Sequence, residues 1–128
     1  DNAEKGLETA CKATGAQISE YTAAPIFMDA NAKCRHQWLI EFTKEPNDIH
    51  EFERILDSKL QEINSDYEAK RFHNITLQQL EVVVARKELF NDWLKSKGKL
   101  GGQHKVPRLS NNRKNIEEML SMNKEKEE

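Results

Sequence analysis

No run of about 18 apolar residues occurs in the chain, so no segment reads as a transmembrane helix. Cysteine is nearly absent. Cys11 and Cys34 share no metal-binding or redox spacing and are expected to be reduced, partly buried thiols of a cytoplasmic protein. The opening residues DNAEKGLETACKATG lack the basic-then-apolar layout of a signal peptide, and the chain does not start with Met. It is expected to be an excised or processed piece. Apolar residues are scarce at 37% against 33% charged, with a mean hydropathy of −0.86. That balance fits a small core with much solvated helix surface, or a part cut from something larger.

Acidic residues are missing from one place in particular. Between Lys95 and Lys114 the chain carries Lys95, Lys97, Lys99, Lys105, Arg108, Arg113 and Lys114 and no Asp or Glu, while the remainder has a net charge of −9. Such a local positive field attracts anions, although a basic segment can also be no more than solvated. Glycine is equally sparing and equally concentrated. Three of the five glycines, Gly98, Gly101 and Gly102, fall within the stretch GKLGGQHKVPRLSNN (98–112).

Periodicity gives the elements. Residues 2–14 read as a helix with Asn2 as its cap, Leu7, Ala10 and Cys11 on one face and Gly15 as its stop. QISEYTAAPIFM (17–28) is rich in strand formers, and Pro25 places it at an edge or a bulge. CRHQWLIEFT (34–43) alternates, with Cys34, His36, Trp38, Ile40 and Phe42 on one side and Arg35, Gln37, Glu41 and Thr43 on the other. These two segments predict an antiparallel hairpin. Asn47 or Asp48 caps a helix to about Asn64, carried by Ile49, Phe52, Leu56, Leu60 and Ile63. SDYEAKRF is a turn or short helix, LEVVVA (80–85) an interior strand, and KELFNDWLKSKG a short helix ended by Gly98. A last helix runs from about Asn111 to Met122, and residues 123–128 form a frayed, charged tail. The order α-β-β-α-β-α-loop-α predicts a single α+β domain over 1–122, with a three-stranded, mainly antiparallel sheet and helices packed on it.

Several site types are excluded. His36, His50, His73 and His104 lie on four different elements without metal-ligand spacing, so no metal site is expected. No Ser or Cys stands in a nucleophile elbow. Gly98-Lys99 is not a Walker loop, because Leu100 occupies the place of the magnesium-binding hydroxyl residue. Trp38, Phe42 and Phe52 read as core, and the RNA-binding strand signature is absent.

The glycine-lysine loop remains. Glycines let the backbone pass through positive φ, and Pro107 then biases Val106 toward an extended form, so Lys105 projects from a stiff dipeptide. Lysine is a compact charge on a flexible stem, whereas Arg108 offers a planar fork. The pair suits a phosphoryl or acyl-phosphate centre. It suits equally well a helix connector that its cations merely solvate, and the residues alone leave both open.

The run Gly101-Gly102-Gln103-His104-Lys105-Val106-Pro107-Arg108, with the strand 80–85 and the Phe90 helix upstream, resembles the C-terminal end of the Gretchen Hagen 3 family. These are auxin-responsive acyl-acid amido synthetases of plants and their bacterial homologues. NSDYEAKRF (64–72), WLKSKGKLGGQHKVPRLSNNR (93–113) and EYTAAPIFM (20–28) are similar to the bacterial branch, and the resemblance covers nearly the whole chain in order. His104 departs from the aromatic usual there, and Lys87-Glu88-Leu89-Phe90 replaces a plant Gly-Thr-Phe turn.

The resemblance implies that the chain is the mobile C-terminal lid of an adenylate-forming ligase. Such an enzyme converts a carboxylic acid and ATP to acyl-AMP, then to an amide with an amine or amino acid. It implies Lys105 as the catalytic cation, Arg108 and Gln103 as support for the loop or a phosphate, and Gly98, Gly101 and Gly102 as the source of loop flexibility. ATP and magnesium would be held mainly by an N-terminal adenylation domain, with no metal, nucleic acid or membrane bound by this part, which alone is expected to be inactive. The competing expectation is a stand-alone α+β module that uses 95–114 to hold an acidic partner such as RNA. On either reading, three glycines and a single large apolar residue, Leu100, are expected to leave residues 98–104 weakly packed. Hydrogen exchange there should be much faster than in 80–85; equally slow exchange would count against a moving loop.

Overall fold

The computed structural model describes residues 2–27, 33–72, 76–98, 106–110 and 112–127. Eight elements follow in order: α1 (Asn2–Thr14), β1 (Gln17–Phe27), β2 (Cys34–Lys44), α2 (Ile49–Ile63), α3 (Ser65–Arg71), β3 (Leu77–Val84), α4 (Leu89–Ser96) and α5 (Lys114–Glu127). The fold is α+β, as the periodicity predicts. Most boundaries agree too, and for the expected reasons. Gly15 takes φ +72° at the end of α1, and Ala16 N–H reaches back to the Cys11 carbonyl at 3.0 Å, which closes the helix through a left-handed residue. Of the two candidate caps for α2, Asp48 is the one used, accepting from His50 N–H and Glu51 N–H.

The ambiguous segment after α2 is a helix because of one residue. Asn64 donates its N–H to Leu60 O, ending α2, and its side chain accepts from Tyr67 N–H, starting α3. Arg71 at the end of α3 then binds Asp57 of α2 through Nε and Nη2 at 3.0 and 2.9 Å, and its Nη1 donates to Leu77 O at the start of β3. Tyr67 hydroxyl donates to the same carboxylate, and burial together with that contact holds the phenol well above its ordinary pKa.

The sheet is three-stranded in the order β1-β2-β3, but mixed. β1 and β2 form the expected antiparallel hairpin, with Ala23 opposite Trp38 and Phe27 opposite Cys34. β2 and β3 run parallel. The chain crosses from β2 to β3 through two helices, long enough to return it to the starting end of the sheet. β1 is an edge strand, a position that tolerates Pro25, which has no N–H for a second neighbour.

Helices cover both faces of the sheet. On one, α1, α2 and α3 bury Trp38, Ile40 and Phe42 of β2 with Leu7, Phe52, Leu56 and Tyr67. α1 lies close on α2 because Gly6 leaves room: a Cβ there would stand 2.9 Å from Leu56 Cδ1. On the other face, Leu39 sits at zero exposure among Leu89, Phe90, Trp93, Ile116 and Met119 of α4 and α5. The alternation lists polar residues for that side of β2, yet Leu39 supplies its apolar centre. Gln37 is buried there too, with its Oε1 accepting from Arg113 at 2.8 Å.

α5 runs past the expected end at Met122. Asn123 is buried, accepting from Arg86 N–H at 2.8 Å and donating to Val84 O, so the helix is tied to the end of β3. Glu53 of α2 likewise accepts from Val82 N–H at 2.6 Å. Both contacts satisfy backbone groups on the outer edge of β3 that otherwise invite pairing with another strand.

Arg71→Ala should destabilise the fold by about 3–5 kcal/mol, because it strands the buried Asp57 carboxylate. Tyr67→Phe should cost less, about 1.5–3 kcal/mol for one hydrogen bond to a charged group. Urea denaturation of both variants checks the order, and equal losses would refute it.

Candidate functional site

Lys105, Gln103, Gly101 and Gly102 lie outside the described residues, as do Lys99, His73 and His104. The expectation of fast exchange over 98–104 concerns the same stretch, of which Gly98 alone is described. The structure does define both ends of the loop. At its start, Gly98 has φ +68° and donates its N–H to Lys95 O at 3.0 Å, so α4 stops where the glycine predicts.

At the other end the chain is strapped to the outer edge of β1. Ala23 N–H donates to Arg108 O at 2.8 Å, and Ser110 N–H donates to Ala23 O at 3.1 Å, making a short parallel bridge at Leu109. Thr22 hydroxyl donates to Pro107 O. Val106 is 4% exposed and belongs to the second core with Phe90 and Leu89. Val106 and Pro107 are extended-chain residues by nature, which prepares the segment to add to a strand edge.

Arg108 is embraced by acids. Its Nε lies 3.3 Å from Glu20 Oε1, its Nη1 3.4 Å from Glu4 Oε1, and its guanidinium covers the Tyr21 ring at 5.0 Å. Burial lifts the Tyr21 phenol above its ordinary pKa, and the Arg108 charge works against that rise. Two other cations of the basic segment are also engaged. Lys97 Nζ pairs with Glu118 at 2.9 Å, and contacts from Lys97 and Trp93 hold that carboxyl below its usual range. Arg113 pairs with Glu117 at 2.8 Å. Thus Lys97, Arg108 and Arg113, three of the five cations described in 95–114, are in ion pairs.

Among the described residues, no group of three His, Cys, Asp or Glu is placed to hold a metal ion. His36 is half-buried in β2 beside Tyr67, and desolvation followed by the Lys70 charge lowers its pKa. His50 is exposed on α2. Cys11 and Cys34 are both free and half-buried. Among the described residues, no helix is long and apolar enough to cross a membrane.

Sequence reasoning singled out Arg108 but missed its partners. Glu4, Glu20, Tyr21 and Thr22 precede it by most of the chain, and nothing in their local pattern marks them. The one available hint was the extended bias at Val106-Pro107, which makes the segment fit to join a sheet edge without saying which.

A mixed sheet between two helical layers, with residues 106–110 strapped to its β1 edge, defines a small α+β domain. The sequence model of the GH3 family C-terminal domain matches residues 1–114, and the chain belongs to that family as its C-terminal domain. Solved structures show the same fold. The AtGH3.15 acyl acid amido synthetase in complex with 2,4-DB superimposes with a TM-score of 0.73 at 16% identity, over 95% of this chain and 23% of that one. A second structure, described as GH3.15 acyl acid amido synthetase, gives 0.71 at 17% identity, over 96% and 23%. The chain therefore spans under a quarter of the length of these synthetases. No curated protein matches the sequence. The family match ends where α5 begins, whereas the structural likeness covers nearly all of the chain.

With Lys97, Arg108 and Arg113 already paired to acids of the same domain, the 95–114 segment has less free charge to offer an acidic partner. RNA binding should be weaker than about 1 µM at physiological salt and fall steeply as salt is raised. Tight, sequence-selective binding in a salt titration would restore the RNA-module reading.

Proposed function

We propose that this chain is the C-terminal domain of an ATP-dependent acyl-acid amido synthetase, a ligase that joins a carboxylic acid to an amine through an acyl-AMP intermediate. Membership of the GH3 family, together with a strap that seats Val106 directly after Lys105, is the observation that favours it. An N-terminal domain carries the acid and ATP, and this domain brings the lysine loop to them. Magnesium would accompany ATP, held mainly by that N-terminal domain.

In the first half-reaction the acid's carboxylate oxygen attacks the α-phosphorus and pyrophosphate leaves. Two anions must approach, so a cation between them lowers the barrier. Lys105 is the group proposed to supply it. In the second half-reaction the amine attacks the acyl carbon and AMP leaves; the anionic repulsion has by then been overcome. Gln103 supports the loop, and Gly98, Gly101 and Gly102 let it adopt the required backbone.

Lys105→Ala in the intact enzyme should therefore lower ATP–pyrophosphate exchange by about 10²–10³-fold with little change in ATP or acid KM. Lys105→Arg should restore little, because its fork has a different reach. Amide formation from preformed acyl-adenylate should persist. Equal loss in both half-reactions would point to disturbed docking and remove the role given to Lys105.

A further inference from the structure

Arg108 has two possible uses in such an enzyme: a ligand for phosphate, or a fixture for the loop. Its surroundings favour the second. Glu20 meets its Nε, Glu4 meets its Nη1, and Tyr21 lies under its plane, so two acids and an aromatic face already engage the guanidinium. Glu20 is the better-placed partner, with a side chain 26% exposed against 59% for Glu4. Its Oε1 also accepts from Tyr21 N–H at 3.0 Å, which orients the carboxylate toward Arg108. The backbone tells the same story, since the carbonyls of Pro107 and Arg108 are both held by β1.

We infer that Glu20 is a positioning residue for the adenylation step: through Arg108 it adds a side-chain tie to the backbone bonds that hold the strap on β1, and so steadies the point from which Lys105 departs. This rests on the proposed role of Lys105. A phosphate drawn to Arg108 would meet a guanidinium whose Nε and Nη1 already face Glu20 and Glu4 and whose plane lies on the Tyr21 ring. The clamp instead makes the Arg108 charge part of the domain's own structure and leaves Lys105, three residues earlier, as the loop cation for the reaction. Glu4 extends the clamp to α1, so the strap is held by a helix and a strand at once.

The test is a double-mutant cycle in the intact enzyme with Glu20→Gln, Arg108→Gln and the pair, alongside Lys105→Ala. Adenylation kcat, ATP KM and thermal midpoint are read for each. Misplacing a catalytic group by a fraction of an ångström to 1 Å costs up to about 10²-fold, so both single variants should lose kcat within that range. ATP KM should stay unchanged, and the double variant should be no slower than the worse single one. Arg108→Lys, which keeps the charge but not the fork, should recover part of the loss. Should Arg108→Gln raise ATP KM while Glu20→Gln does not slow adenylation, Arg108 is a phosphate ligand and the inference is overturned. Additive losses, or losses matched by collapse of the thermal midpoint, overturn it as well. Lys105→Ala separates the two levels: if it slows adenylation about 10²–10³-fold while Glu20→Gln has no effect, only the clamp fails; if it is fully active, the role proposed for Lys105 falls and the clamp with it.

Discussion

Two backbone hydrogen bonds at Ala23 connect the beginning of the chain to its end. The Arg108 carbonyl and the Ser110 N–H meet the outer edge of β1 there, and the rest of the site follows from that docking. It closes part of an open strand edge and carries Val106 into the second core. It also brings Arg108 over Tyr21 and between Glu4 and Glu20. Without it, the basic segment would be the loose, solvated connector that its composition also permits.

The docking in turn requires a sheet that is covered on both sides. β2 is the middle strand and buries Ile40 toward one helical layer and Leu39 toward the other, both at zero exposure. The layers are fastened in different ways. α2 and α3 are joined by the Asp57–Arg71–Tyr67 cluster, while α5 is held by Arg113 at its start and Asn123 near its end. Both helical layers also reach the free edge of β3 with a polar side chain, Glu53 from one and Asn123 from the other. A small domain with so polar a composition thus uses buried polar contacts where a larger core would use more apolar surface.

The charge pattern takes on a different meaning in the folded chain. In sequence, a cluster of cations faces an acidic remainder; in space, Glu4, Glu20, Glu117 and Glu118 are drawn to three of those cations. The acids that neutralise Arg108 come from α1 and β1, while those for Lys97 and Arg113 come from α5. Among the described residues, part of what reads as a field for an external anion is an internal set of ties, most of them partly exposed and individually weak. The Lys87–Phe90 turn shows a similar local compromise. Glu88 holds φ +67°, a region that favours glycine, while its N–H donates to Glu41 at 3.1 Å.

The sequence by itself determined the local elements, because they depend on nearest neighbours and on period. The spacing of Phe52, Leu56 and Leu60 made α2, Gly15 and Gly98 ended their helices through positive φ, and Pro25 marked an edge strand. It also carried the resemblance to the family to which the chain belongs, through the residues around Lys105 and Arg108. Tertiary structure decided whatever depends on pairing across long separations. The parallel run of β3, the apolar second face at Leu39, the continuation of α5 through Asn123 and the seat of Arg108 between Glu4 and Glu20 are all of this kind. Strand direction follows from the path of the crossover, and an ion pair from which surfaces meet. Neither leaves a periodic trace in the residues that make it, since a glutamate that clamps an arginine and a glutamate in water have the same neighbours in sequence.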